Sequence, residues 1–89
     1  MSAMPTITFY TTQHCPFCRN AELLLQRKGV TQLDKIWVDQ NSQQRTVMME
    51  RTGRRTVPQI FIGEIYIGGY SELVALDRAG KLDVLLTNN

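Results

Sequence analysis

Ile7-Thr8-Phe9-Tyr10-Thr11-Thr12-Gln13-His14-Cys15-Pro16-Phe17-Cys18 runs from a strand through a loop into the start of a helix. Ile7 and Phe9 alternate with Thr6 and Thr8, the period of a strand through Tyr10. Thr11 to His14 is the loop. Pro16 suits the first helical position, where a missing N–H costs nothing. Cys15 and Cys18 stand at that turn, spaced so that the thiols can close as a disulfide and reopen by exchange.

Outward from this stretch, Phe17, Ala21, Leu24 and Leu25 recur at helical spacing, and Gly29 ends the helix. Leu33 to Val38 is a second strand, and its run Ile36-Trp37-Val38 implies burial on both faces. Ser42 is expected to cap a second helix through about Thr52, with Val47, Met48 and Arg51 at helical spacing and Gly53 after it. Trp37, Met48 and Met49 are read as packing residues. Val57 to Ile62 is a third strand entered through Pro58, and Ile65 to Ile67 a fourth. The Gly63-Glu64 turn between them is so short that the pair must be antiparallel. Gly68-Gly69 opens a third helix through about Ala79, with Leu73, Val74 and Leu76 inward. Leu82 to Leu86 makes a last helical turn, and Thr87 to Asn89 are expected to fray. The order β-α-β-α-β-β-α is an α/β fold, with a parallel first half and a hairpin plus helix in the second.

A chain of 89 residues makes a single domain, 1–89. A net charge of +2 and a pI near 8.7 are too weak to argue for nucleic acid. Arg45, Arg51, Arg54 and Arg55 form a local basic cluster, either a solvated face or an attraction for a small anion. No apolar run approaches the roughly 20 residues of a membrane span. Met1 to Thr6 lacks a basic start and apolar signal core, so the expectation is a cytoplasmic protein without a membrane, monomeric at this size. Thiols there are held reduced, which argues against a permanent structural disulfide.

At the helix N-cap, Cys15 faces unpaired backbone N–H groups and the positive end of the helix dipole. Both favour thiolate over thiol. Cys18, one turn further in, is expected to stay a thiol. Cys15 then attacks a disulfide, and Cys18 resolves the mixed disulfide. The competing readings are a structural disulfide, two inert cysteines, or a zinc site, which wants four ligands where the chain offers two cysteines and His14. His14 either supports the thiolate when protonated or is a plain loop residue. Phe17, caught between the thiols, is expected to show one face to a substrate. Val57-Pro58 is a candidate cis bond that would turn the Val57 backbone toward an incoming chain, or else an ordinary trans proline at an edge. Gly68-Gly69-Tyr70-Ser71 exposes helix amides, with the Ser71 hydroxyl beside them, as an anion site, or is a turn with a serine cap.

Tyr10-Thr11 before Cys15-Pro16-Phe17-Cys18, then Thr56-Val57-Pro58-Gln59-Ile60-Phe61-Ile62, then Gly68-Gly69-Tyr70-Ser71-Glu72-Leu73 resemble the glutaredoxin family, most closely its small bacterial dithiol members in the thioredoxin superfamily. The resemblance spans Ile7 to Leu86. It implies a thioredoxin-like fold with a four-stranded mixed sheet flanked by helices, and glutathione-dependent thiol–disulfide exchange. It further implies that Cys15 is the nucleophile and Cys18 the resolving thiol. Phe17, Arg45, Thr56, Val57, Pro58, Gly69, Tyr70 and Ser71 would bind glutathione. Glutathione enters as co-substrate with no bound cofactor or metal, and the partners are disulfide-bonded or glutathionylated proteins. Thr12 stands where the family usually has lysine, Phe17 where tyrosine is commoner, and Ser71 where aspartate is frequent. Two other functions compete. An iron–sulfur cluster carrier would use Cys15 and glutathione, but Pro16 and Cys18 argue against it. A thioredoxin-like donor served by a flavoprotein reductase would usually carry tryptophan where His14 stands.

Overall fold

The computed structural model describes residues 5–87. The expectations for Met1 to Met4, and for fraying at Asn88 and Asn89, fall outside that range, whereas Thr87, also expected to fray, is helical and donates its hydroxyl to the Asp83 carbonyl at 2.9 Å. The elements in chain order are β1 (Ile7–Thr11), α1 (Pro16–Arg27), β2 (Asp34–Trp37), α2 (Ser42–Thr52), β3 (Gln59–Ile62), β4 (Ile65–Gly68), α3 (Tyr70–Arg78) and α4 (Leu82–Thr87). The four strands form one sheet in the order β2-β1-β3-β4. β1 pairs β2 in parallel, and β1–β3 and β3–β4 are antiparallel. This is the mixed sheet with flanking helices that the element order implies.

Strand alternation divides the core between the two sheet faces. Ile7 and Phe9 of β1, Ile60 and Ile62 of β3 and Ile67 of β4 pack with Cys18, Ala21, Leu24 and Leu25 of α1, Leu73 of α3 and Leu82 and Leu86 of α4. Tyr10 and Phe61, of opposite parity, pack with Val38 and with Met48 of α2. Arg51 of α2 closes this second layer. Its guanidinium donates to the Tyr10 hydroxyl at 2.9 Å and lies 3.9 Å from the Phe61 ring centre. The other end of the molecule is tied by Lys28, whose Nζ pairs with Asp77 at 2.7 Å and Asp83 at 3.3 Å, linking α1 to α3 and α4.

Several local expectations change. β2 is shorter than Leu33 to Val38 and is an edge strand, so it is not buried on both faces. Ile36 and Val38 pack toward α2, while Trp37 between them points the other way and is 37% exposed. Trp37 is therefore not a packing residue. Its ring lies 5.7 Å from the Lys35 ammonium. Asn41, not Ser42, caps α2: its Oδ1 accepts the Gln44 N–H at 3.2 Å, and Ser42 becomes the first helical residue. Val47 faces outward, and the inward positions fall to Met48 and, partly, Met49. Gly53 takes φ +70° after α2, the left-handed stop that glycine supplies.

Leu25 is fully buried at the centre of the larger layer. Leu25→Ala is expected to cost about 2–5 kcal/mol of unfolding free energy. Urea denaturation checks this, and a loss well under about 1 kcal/mol would contradict that core assignment.

Candidate active site: a dithiol between two backbone edges

Cys15 occupies the N-cap of α1 in extended conformation (φ −134°, ψ 100°). From there its Sγ accepts the Cys18 N–H at 3.1 Å. Pro16 begins the helix without a donor to satisfy. Cys15 and Cys18 are joined as a disulfide with Cα atoms 5.2 Å apart. Cys18 is 4% exposed and belongs to the core layer, whereas Cys15 is half-buried at its margin. The two sulfurs therefore differ in access: a bulky partner meets Cys15 first. Phe17 between them is 61% exposed, and its ring lies 5.9 Å from that of Tyr70 on α3.

The first backbone edge is Thr56-Val57-Pro58. The Val57–Pro58 bond is cis, and Cys15 Sγ lies 3.7 Å from the Val57 carbonyl oxygen. Among the described residues the Val57 N–H has no acceptor. Gln59 anchors this edge from below. It is fully buried, its Nε2 donates to the Thr56 carbonyl (3.0 Å) and hydroxyl (3.3 Å), and its Oε1 accepts from the Tyr66 hydroxyl at 2.6 Å. Sequence reading took Gln59 only as part of a strand. The available signal was a polar side chain inside the run Val57 to Ile62.

The second edge is the start of α3. Gly69 is its N-cap, and the Tyr70 and Ser71 amides occupy the first two positions, where the helix supplies no acceptor. A Cβ on Gly69 would meet the Pro58 carbonyl at 3.2 Å, so glycine lets the two edges come together. Gly68 has φ +115°, and a Cβ there would meet the Glu72 carboxylate at 2.6 Å. Glu72 Oε1 accepts the Gly69 N–H at 2.6 Å and Arg54 Nη1 at 3.0 Å. One carboxylate thus ties the loop before β3 to the cap of α3. The Gly69 N–H, then the Arg54 guanidinium, hold Glu72 below the ordinary carboxylate range against partial burial. Glu72 raises Arg54 in return, chiefly by that hydrogen bond. Neither residue was singled out as a tether in the sequence. The pattern of Glu three residues after a helix-opening glycine was visible, but its Arg54 partner lies 18 residues away.

The expected site residues thus gather around Cys15 and Cys18: Phe17 and Tyr70 as a ring pair, Thr56, Val57 and Pro58 on one edge, Gly69, Tyr70 and Ser71 on the other. Arg45 stands apart in the first turn of α2, with no side-chain hydrogen bond or ion pair to these residues among those described. The basic cluster is neither simply solvated nor a single anion site, because Arg51 is engaged by Tyr10 and Phe61, and Arg54 by Glu72. On the side of β2, Thr12, His14 and Trp37 line a groove with both cysteines. The loop there is held by the Gln13 N–H donating to Asp39 at 3.1 Å.

A family model described as Glutaredoxin matches residues 7–67. The chain is 49% identical over 84 residues to a glutaredoxin of Pseudomonas aeruginosa, covering 94% of this chain and 99% of that protein. The chain belongs to the glutaredoxin family. Among solved structures, the glutaredoxin of Brucella melitensis superposes with a TM-score of 0.82 at 44% identity, over 94% of this chain and 90% of that one. A buckwheat glutaredoxin solved as a complex with glutathione gives a TM-score of 0.82 at 31% identity, over 91% and 76%. With its redox-capable cysteine pair, this glutaredoxin is a thiol–disulfide oxidoreductase by family.

The Glu72 tether sets a pH dependence. A carboxylate held below its unfolded value contributes stability above about pH 4.5, and that contribution is lost as pH falls through the lower folded value. Both partners are well exposed, so the contribution is small. Wild type is expected to be more stable than Glu72→Gln at pH 6, with the gap narrowing towards pH 3. Urea midpoints across that range check it, and a gap independent of pH would remove the charged tether.

Proposed function

We propose that this chain is a glutathione-dependent oxidoreductase that reduces protein disulfides and protein–glutathione mixed disulfides. The observation that carries the reading is the placement of an accessible cysteine between a backbone edge at Val57 and helix amides at Tyr70 and Ser71 that are unpaired among the described residues. A tripeptide with a thiol at its centre and carboxylates at its ends suits that arrangement. Its cysteinyl backbone would pair with Val57 as a short strand. Its γ-glutamyl carboxylate would accept from the amides at the start of α3. The buckwheat relative bound to glutathione supports the choice of ligand.

In the monothiol route the Cys15 thiolate attacks the glutathione sulfur of a mixed disulfide. The Cys15–glutathione bond forms, the protein–sulfur bond breaks, and the protein thiolate leaves and takes a proton. A second glutathione thiolate then attacks the adduct, releasing oxidised glutathione and the Cys15 thiolate. In the dithiol route Cys15 attacks a protein disulfide, and Cys18 attacks the Cys15 sulfur of the mixed disulfide. The protein leaves with both thiols reduced, and the Cys15–Cys18 disulfide remains for two glutathione molecules to reduce. The buried position of Cys18 suits an intramolecular second step. Reduction potentials of glutaredoxins, about −200 to −230 mV, match a glutathione pool as electron source.

Turnover of a glutathione mixed disulfide, coupled through glutathione reductase to NADPH, tests the reading. Cys15→Ser is expected to lose all measurable turnover. Cys18→Ser is expected to keep deglutathionylation and to lose most reduction of protein disulfides. Equal loss in both variants would remove the monothiol route, and no turnover by folded, reduced wild type would remove glutathione dependence. Ser71→Glu, which sets a negative charge beside the α3 amides, is expected to raise the KM for glutathione about two- to fivefold. Unchanged saturation would remove the anion site.

A further inference from the structure

Phe17, Asn20, Leu23 and Arg27 follow one another at helical steps of three or four and share one face of α1. That face begins at the dithiol and leads away from it. Phe17 is 61% and Leu23 49% exposed, although helix residues of this size normally turn inward, as Leu24 and Leu25 beside them do. Asn20, Leu23, Gln26 and Arg27, with Tyr70 of α3 as the opposite wall, line a groove of about 470 Å³. Among the described residues Arg27 has no ion-pair partner, in contrast to its neighbour Lys28, which has Asp77 and Asp83. This face of α1 thus offers, in order from the dithiol, the Phe17 ring, then the groove with its apolar step at Leu23 and the cation of Arg27.

We propose that this groove is the docking track for an extended segment of the disulfide-bearing protein target, with an apolar side chain on Leu23 and a carboxylate on Arg27. The proposal rests on the oxidoreductase reading above. Two observations choose this occupant. The groove's wall Tyr70 stacks with Phe17 at 5.9 Å, and Phe17 lies between the two cysteines, so a chain attached at the reacting sulfur passes this ring pair on its way to the groove. Its far end carries an unpaired positive charge, which suits an acidic side chain.

The geometry sets the spacing. At about 1.5 Å per helical residue, Leu23 lies about 12 Å and Arg27 about 18 Å along the axis from Cys15. An extended chain at about 3.3 Å per residue covers the first distance in about four residues and the second in about five to six. Residues an even number of steps from the target cysteine project to its side, which selects the fourth and, of the fifth and sixth, the sixth. In the deglutathionylation step glutathione occupies the Val57 and Tyr70 edges while the departing polypeptide lies along α1. The Cys15–glutathione bond forms, the target's disulfide bond breaks, and the target thiolate leaves and takes a proton.

The probes are synthetic glutathionylated peptides with leucine four and aspartate six residues from cysteine, in either chain direction. Matched peptides carry serine and lysine at those places. The small control substrate is the mixed disulfide of cysteine and glutathione. Wild type is expected to show a kcat/KM about five- to tenfold higher for a leucine–aspartate peptide, in one direction or the other, than for its serine–lysine match. Leu23→Ser and Arg27→Glu are expected to erase that preference and leave turnover of the small control unchanged. Both side chains are exposed, so neither change opens the core. Equal rates on all peptides, with the control turned over normally, would overturn the track. So would a preference that survives both substitutions. Failure of wild type on the small control would instead overturn the glutathione-dependent reading.

Discussion

The antiparallel register between β1 and β3 is the constraint on which the site depends. Ile7 lies opposite Ile62, and Tyr10 opposite Gln59. β1 leads through Thr12 to His14 into Cys15, and β3 is entered from Val57 and Pro58, so this pairing carries the sulfur to the proline edge. It also assigns faces. A slip of one residue would send Gln59 and Phe61 to the face of α1 and bring Ile60 to that of α2. Gln59 would then lose both Thr56 and Tyr66, and Arg51 would lose the Phe61 ring. The energetic weight behind the register is apolar: Ile7, Phe9, Ile60 and Ile62 are all nearly fully buried on one side.

Polar contacts then refine what the apolar layers set. Three side chains hold loops rather than helices or strands: Gln59 holds Thr56, Glu72 holds Gly69 and Arg54, and Asp39 holds Gln13. Each lies close in space to a backbone segment beside the cysteine pair, and together they fix three loops around one sulfur. The buried member, Gln59, has a partner for both ends of its amide, as a fully enclosed polar group requires. Tyr66, its partner, is raised above the ordinary phenol range chiefly by burial, which keeps its hydroxyl a donor to Gln59.

Much of this was legible in the sequence, because the site is built from short local patterns. A proline after the first cysteine, a proline opening a strand and a pair of glycines opening a helix each dictate backbone, and backbone is what this site presents. The element order and the antiparallel hairpin followed from strand period and turn length. What could not be read was set by contacts distant in sequence. Trp37 looks like core from its neighbours, but its exposure follows from β2 lying at the sheet edge. Val47 shares the helical spacing of Met48, but it faces outward while Met48 and Met49 pack toward Tyr10, Val38 and Phe61. The roles of Gln59, Arg51 and Arg54 depend on partners that only the folded sheet and α3 bring near.

Both outer strands are four residues long. β2 begins with Asp34 and Lys35, and the pairing of β4 to β3 shifts register between Ile60 and Phe61. Charge, shortness and a bulge all make a poor template for a foreign strand. The sheet is thus blunted against sticking edge to edge with other chains, while the unpaired Val57 amide stays open within reach of Cys15. If protein disulfides are its substrates, as proposed, the fold confines strand pairing to the neighbourhood of the sulfur and keeps it away from the sheet margins.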